Sequence, residues 1–200
     1  MQLFYSDGSP YARICRMALR ERRLQADVRE VTTTLRDPLA AVLPHNPIGR
    51  VPTLVLPDGT ALTETTLILG WLDRLGSEPA ILPGTASGLA AYGRVLGLLD
   101  GIAVWNRELR RLENERSPSV LALEVTRAGR AVDALERDVA EGAFAKVDAG
   151  FLALAAVLGY GERRHTVWRW RDGRPLLSTW FDEASRRPAF RETLPPPSGI

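Results

Sequence analysis

The stretch Gly76 to Gly88, GSEPAILPGTASG, breaks the hydrophobic periodicity of the chain and separates two halves of different character. Glycine, proline and serine concentrate there, which is the composition of a domain linker. Before it, short apolar runs alternate with helical patterns. After it strand signal is almost absent, and Leu89 to Leu112, Ser117 to Glu141 and Phe151 to Tyr160 all repeat at helical spacing. The pattern predicts an α/β domain over 1–78 and an all-helical bundle over 85–200. A chain of 200 residues with 45% apolar content can bury a core in each.

The first half gives an ordered list of elements. Gln2 to Tyr5 reads as a strand, closed by the turn residues Ser6-Asp7-Gly8. Ser9-Pro10 then supplies an N-cap and a first-turn proline, and Tyr11, Ile14, Cys15, Ala18 and Leu19 follow at helical spacing to about Arg23. Val28 to Val31 makes a second strand, whose helical connection implies parallel pairing. A short helix is predicted over Leu39 to Leu43. Thr53 to Leu56 and Ala61 to Thr63 form a hairpin with Asp58-Gly59 at its bend, and Thr65 to Leu75 is a helix. The predicted order is β-α-β-α-β-β-α.

Composition removes several classes of function. Arginines and acids nearly cancel to a formal charge of +2, so no nucleic-acid partner is implied. The alternation Trp168-Arg169-Trp170-Arg171 reads as Trp inward and Arg outward. Cys15 is the single cysteine, which excludes an internal disulfide and suits a reducing cytoplasm. His45 and His165 are the only histidines and lack partners at metal-ligand spacing, so no metal is expected. No leader pattern opens the chain, and no apolar run is read as long enough to cross a bilayer.

Three local motifs carry chemistry: Ser9 at the start of the first helix, Val51-Pro52 before the hairpin, and Glu64-Thr65 at the mouth of the next helix. In their order and spacing, YSDGSPYARICRMAL and NPIGRVPTLVLPDGTALTETTLILGWL resemble the N-terminal half of the glutathione S-transferase superfamily. LSTWFDEASRRPAFRETLP resembles its C-terminal end. The resemblance implies a thioredoxin-like N-terminal domain followed by an all-α C-terminal domain, with glutathione as co-substrate.

By that resemblance, the Ser9 hydroxyl donates to the glutathione thiolate; Tyr5 and Tyr11 are alternative hydroxyls. The proline after Val51 is cis, and the Val51 backbone pairs with the cysteinyl backbone of glutathione like an added strand. Thr65 holds the γ-glutamyl carboxylate at a helix N-terminus and Glu64 attracts the ammonium. Arg50, or else Arg36 or His45, meets the glycyl carboxylate. Many members pair the capping residue of a buried second-domain helix with an Asp three residues on. Here Asp148 is followed by Phe151 instead.

The implied activity is transfer of glutathione to a small hydrophobic electrophile by a detoxifying, cytoplasmic homodimer. A glutathione-dependent isomerase, dehalogenase or disulfide reductase would share these motifs, as would a non-catalytic interaction protein on the same fold. Conjugation consumes glutathione, whereas isomerisation returns it. Trp105 and Arg107 to Arg111 are placed to border the cleft, and Cys15 reads as a small core residue.

Overall fold

The computed structural model describes residues 1–76 and 79–198. The ends assigned to the two domains, 78 and 200, lie outside those residues.

Strand β1 (Gln2–Tyr5) buries Leu3 and Phe4 and forms the middle of a four-stranded sheet of order β2-β1-β3-β4. Strand β2 (Arg29–Thr32) runs parallel to it, with Leu3 opposite Glu30. On its other side β3 (Thr53–Val55) is antiparallel, and β4 (Ala61–Thr63) closes the hairpin onto β3. Gly59 takes the bend at φ 86°, a conformation that favours glycine.

Helix α1 (Pro10–Glu21) follows from its own first residues. Ser9 caps it by accepting from the Ala12 N–H at 3.2 Å, and Pro10 fills a position where no amide donor is needed. Residues 12 to 19 are all buried, because α1 is enclosed by α2 (Thr65–Leu72), α5 (Ala149–Arg164) and α7 (Pro188–Arg191). Cys15 is fully buried among them, and burial raises its thiol pKa well above the ordinary value.

The helix predicted at Leu39 to Leu43 is not formed. Residues 37 to 46 wind through successive turns, such as Ala40 N–H to Asp37 C=O and Asn46 N–H to Val42 C=O. Pro38, Pro44 and Pro47 bracket the segment and deny it the amides and backbone angles a regular helix requires. The observed order is therefore β-α-β-β-β-α, on an otherwise thioredoxin-like plan.

After α2, the Asp73 carboxylate accepts from the amides of Ile81 and Leu82 at 2.6 and 2.9 Å. Arg22 reaches the same segment through the Pro79 carbonyl. The connection is thus pinned to the first half.

The second half is helical: α3 (Ala86–Leu109), α4 (Pro118–Ala140), α5, α6 (Pro175–Ala184) and α7. Helix α5 is buried from Ala149 to Gly161, as expected for a helix that is apolar on every side. Its cap is Asp148, which accepts from the Phe151 N–H at 3.1 Å, so the cap stands without an acid at the third position. Helix α3 corrects one expectation. By length and composition it is apolar enough to cross a membrane, with a mean hydropathy of 1.2 over eighteen residues. Its buried residues, among them Tyr92, Val95, Leu99 and Ile102, recur on one face, and α3 packs on α4 and α5.

Candidate functional site at the first turn of α1

The three sequence motifs converge on the first turn of α1. Ser9 is half-buried, and its Oγ accepts from Ala12, so its own proton stays free to be donated outward. The Thr65 hydroxyl donates to the Tyr11 carbonyl at 3.4 Å, which sets the start of α2 against the start of α1. Val51 belongs to the same small apolar cluster as Ala12 and Phe4. The Val51–Pro52 peptide is cis, and among the described residues neither the N–H nor the C=O of Val51 has a backbone partner.

Glu64 is exposed and sits at φ 68°, ψ 126°, where a residue with a Cβ is rarely found. Such local strain is characteristic of residues that hold ligands. Its side chain does not cap α2, and among the described residues the Thr65, Thr66 and Leu67 amides have no partner outside the helix. Thr65 is buried and its hydroxyl is already engaged with Tyr11, which leaves its N–H as the donor available to an anion. The next hydroxyl, on Thr66, pairs with Tyr92 at 2.9 Å. Arg50 is exposed, and its carbonyl is tied down by Asn46 at 3.1 Å and Thr53 at 2.9 Å. Arg36 and His45 are exposed on the same side of the sequence, with His45 tilted against Phe4.

Of the alternative hydroxyls, that of Tyr11 is already engaged. Tyr11 donates to the Asp100 carboxylate of α3. Burial and then Asp100 push its pKa up, against a smaller pull from Arg107, so it stays protonated. The Tyr5 ring lies under the Arg16 guanidinium at 3.9 Å.

Sequence reasoning placed Trp105 and Arg107 to Arg111 at the cleft border but missed what joins the wall opposite Ser9. It is built from the C-terminal ends of α3 and α5, joined by Asn106, whose Nδ2 donates to the Arg164 carbonyl at 2.9 Å and to His165 Nδ1 at 3.1 Å. Nδ1 therefore accepts, and the ring proton sits on Nε2, which is buried without a partner. Trp105 meets the imidazole edge-on at 4.5 Å.

Burial, with the Arg110 charge second, lowers the His165 pKa to about 4. The unfolded chain takes up this proton near pH 6.5 and the folded chain only near 4, so stability is lost as pH falls through that window. From pH 7 to pH 5 the expected loss from this group is about 2 kcal/mol. Urea titrations at the two pH values should show it, and His165→Gln should remove it.

Residues 8–75 match the family pattern described as Glutathione S-transferase, N-terminal domain. Over its whole length the chain is similar to solved transferases. The glutathione S-transferase of Methylobacterium radiotolerans, in complex with glutathione sulfonate, is 30% identical with a TM-score of 0.83; the match covers 100% of this chain and 96% of that one. The glutathione S-transferase of Methylobacillus flagellatus with glutathione bound is 27% identical, TM-score 0.89, covering 98% and 99%. A glutathione transferase family member from Pseudomonas fluorescens, with bound S-(propanoic acid)-glutathione, is 28% identical, TM-score 0.86, covering 98% and 100%.

Proposed function

The chain belongs to the glutathione S-transferase family, and on that premise we propose that it binds glutathione across the first turn of α1 and transfers it to a small electrophile. The observation that carries this reading is the convergence of a free Ser9 O–H, an unpaired Val51 backbone and the open amides of α2 on one turn.

In this reading the Val51 N–H and C=O pair with the cysteinyl backbone and place the sulfur at the N-terminus of α1. The positive end of that helix and the Ser9 hydroxyl both favour the thiolate over the thiol. The thiol proton leaves to solvent. The thiolate attacks the electrophilic carbon and a C–S bond forms as the carbon's bond to its leaving group breaks, the group departing with the electron pair as an anion into solvent; the attack needs no general base. The Thr65 N–H takes the γ-glutamyl carboxylate, Glu64 the ammonium, and Arg50 the glycyl carboxylate. Conjugation is favoured over isomerisation or reduction because the Pseudomonas relative holds an S-substituted glutathione.

A cytoplasmic detoxifying homodimer completes the proposal. The exposed Leu67 of α2, Leu89 of α3 and Leu123 of α4 offer apolar surface that a second copy would cover. A hydrodynamic mass tests that part.

Calorimetric titration with glutathione is expected to give saturable heat with a Kd of about 1 mM or tighter. Bound thiolate absorbance followed against pH is expected to rise with a midpoint below about 8.5, the ordinary thiol value. The absence of both heat and a thermal shift at millimolar ligand would overturn the reading.

A further inference from the structure

The wall facing Ser9 carries positive charge that the protein does not neutralise. The Asp100 contact with Tyr11 identifies the stripe of α3 that faces α1. At about 100° per residue, Arg107 falls two turns further along that stripe, while Asn106 marks the stripe that faces the end of α5. Arg110 falls between the two stripes, toward the angle that α1 and α5 enclose. From the other side, Arg164 lays its guanidinium on the loop before Ser9. A Cβ on Gly8 would come within 2.9 Å of its Nη2 and 3.0 Å of its Cζ.

None of these three cations has a carboxylate partner among the described residues. Arg107 bonds only the Ala103 carbonyl of its own helix, at 3.1 Å. Arg164 donates to the Pro196 carbonyl at 2.9 Å. Among the described residues the Arg110 side chain makes no hydrogen bond or ion pair. By contrast, the neighbouring Arg111 meets Glu108 and Glu115. Of the acids on this side, Asp100 accepts from the neutral Tyr11 hydroxyl and makes no ion pair with an arginine among the described residues, and Glu64 stands exposed at the mouth of α2. The buried Tyr160 hydroxyl lies in the field of all three arginines, which oppose the rise that burial imposes on its pKa.

Resting on the function proposed above, we infer that Arg107, Arg110 and Arg164 form an anion subsite, so that the electrophile this enzyme prefers carries a carboxylate rather than being wholly apolar. A guanidinium presents paired donors that match a carboxylate, and three of them on one wall exceed what an apolar substrate could use. The anionic arm would lie along the α3 wall while the reacting carbon faces the sulfur at Ser9. Because Arg107 and Arg110 are exposed, the attraction is open to screening by salt.

The test compares S-(4-carboxybenzyl)glutathione with S-benzylglutathione, which differ by one carboxylate, by calorimetry on the whole protein. The carboxylated adduct is expected to bind about tenfold tighter in 50 mM salt, and the ratio to shrink by several-fold in 500 mM. In Arg107→Gln/Arg110→Gln the ratio is expected to fall to near one. Both residues project from the end of a helix, so the fold does not depend on them, and the ratio corrects for any general loss of affinity. If glutathione and both adducts bind but the ratio is near one in the unaltered protein, or survives the double substitution, the anion subsite is overturned and the glutathione site stands. If glutathione itself fails to bind, both fall.

Discussion

Ser9→Ala is expected to leave glutathione affinity within a few-fold of the parent and to lower the rate of thioether formation by a hundredfold to a thousandfold, about 3–4 kcal/mol in the barrier. The affinity survives because the tripeptide would be held by the Val51 backbone, the α2 amides and Arg50, none of which touches the sulfur. The rate falls because one donor to the sulfur anion disappears. Losing a hydrogen bond that only the thiolate can accept raises the thiol pKa, so the absorbance midpoint of the bound thiolate should move upward and less thiolate exists at pH 7. Ser9 also caps α1, and alanine at an N-cap costs about 1 kcal/mol of stability. Ser9→Gly separates the two roles, since glycine at a cap costs only a few tenths of a kcal/mol while lacking the hydroxyl. Both variants should be slow, and only the alanine form should melt early. If the glycine variant turned over like the parent, Ser9 would be a cap alone.

What could be read from the sequence is what is encoded locally. Ser9-Pro10 and Ser117-Pro118 both start helices as read, each serine accepting from the amide three residues on. Asp58-Gly59 turns the hairpin, and Asp148 caps the buried helix. In each case the signal and the structure it specifies lie within four residues of one another. The turns at 37 to 46 were misread because the apolar spacing of Leu39 to Leu43 was weighed above the three prolines around it.

The first-turn motifs were visible for the same local reason, but the wall opposite them was not. Tyr11 and Asp100 lie 89 residues apart, and Asn106 and His165 lie 59 apart. Nothing in a single sequence says that these pairs meet, because the docking of α3 and α5 on α1 decides it. Arginines 107 to 111 could be placed near a cleft by position on α3. Which of them turn inward follows only once Asp100 and Asn106 fix the rotation of that helix. The proposed substrate preference is therefore a property of packing, whereas the proposed glutathione half is written in three short runs.

That packing leads to the second large effect. Phe190→Ala is expected to destabilise the fold by about 3–5 kcal/mol and to lower Tm by about 10 °C. Phe190 belongs to the short helix α7, and its ring is buried at the junction of three elements. It meets Phe181 of α6 edge-on at 5.5 Å. Its Cζ stands 3.0 Å from where a Cβ on Gly159 of α5 would be, so the ring occupies a space that glycine alone leaves open. Against α1 it covers the Arg13 guanidinium at 4.0 Å, and its carbonyl accepts from Arg13 Nη2 at 3.0 Å.

Arg13 is the reason the loss should lie toward the upper end of the range for a buried aromatic ring. It is buried with no carboxylate paired to it among the described residues, and burial, with the charges of Arg16 and Arg163, lowers its pKa to about 9. The ring face and the carbonyls around it replace the hydration the cation gave up. Phe190→Leu keeps most of the apolar volume but removes the π face, and should cost about 1–2 kcal/mol. The ordering alanine, leucine, parent in urea midpoints, with an unchanged slope, would tie α7 into the cooperative unit that includes α1. A loss below about 0.5 kcal/mol in the alanine variant would mean instead that α7 frays independently. Because the Arg13 N–H donates to the Ser9 carbonyl at 3.0 Å, the same contact bears on how firmly the first turn of α1 is held.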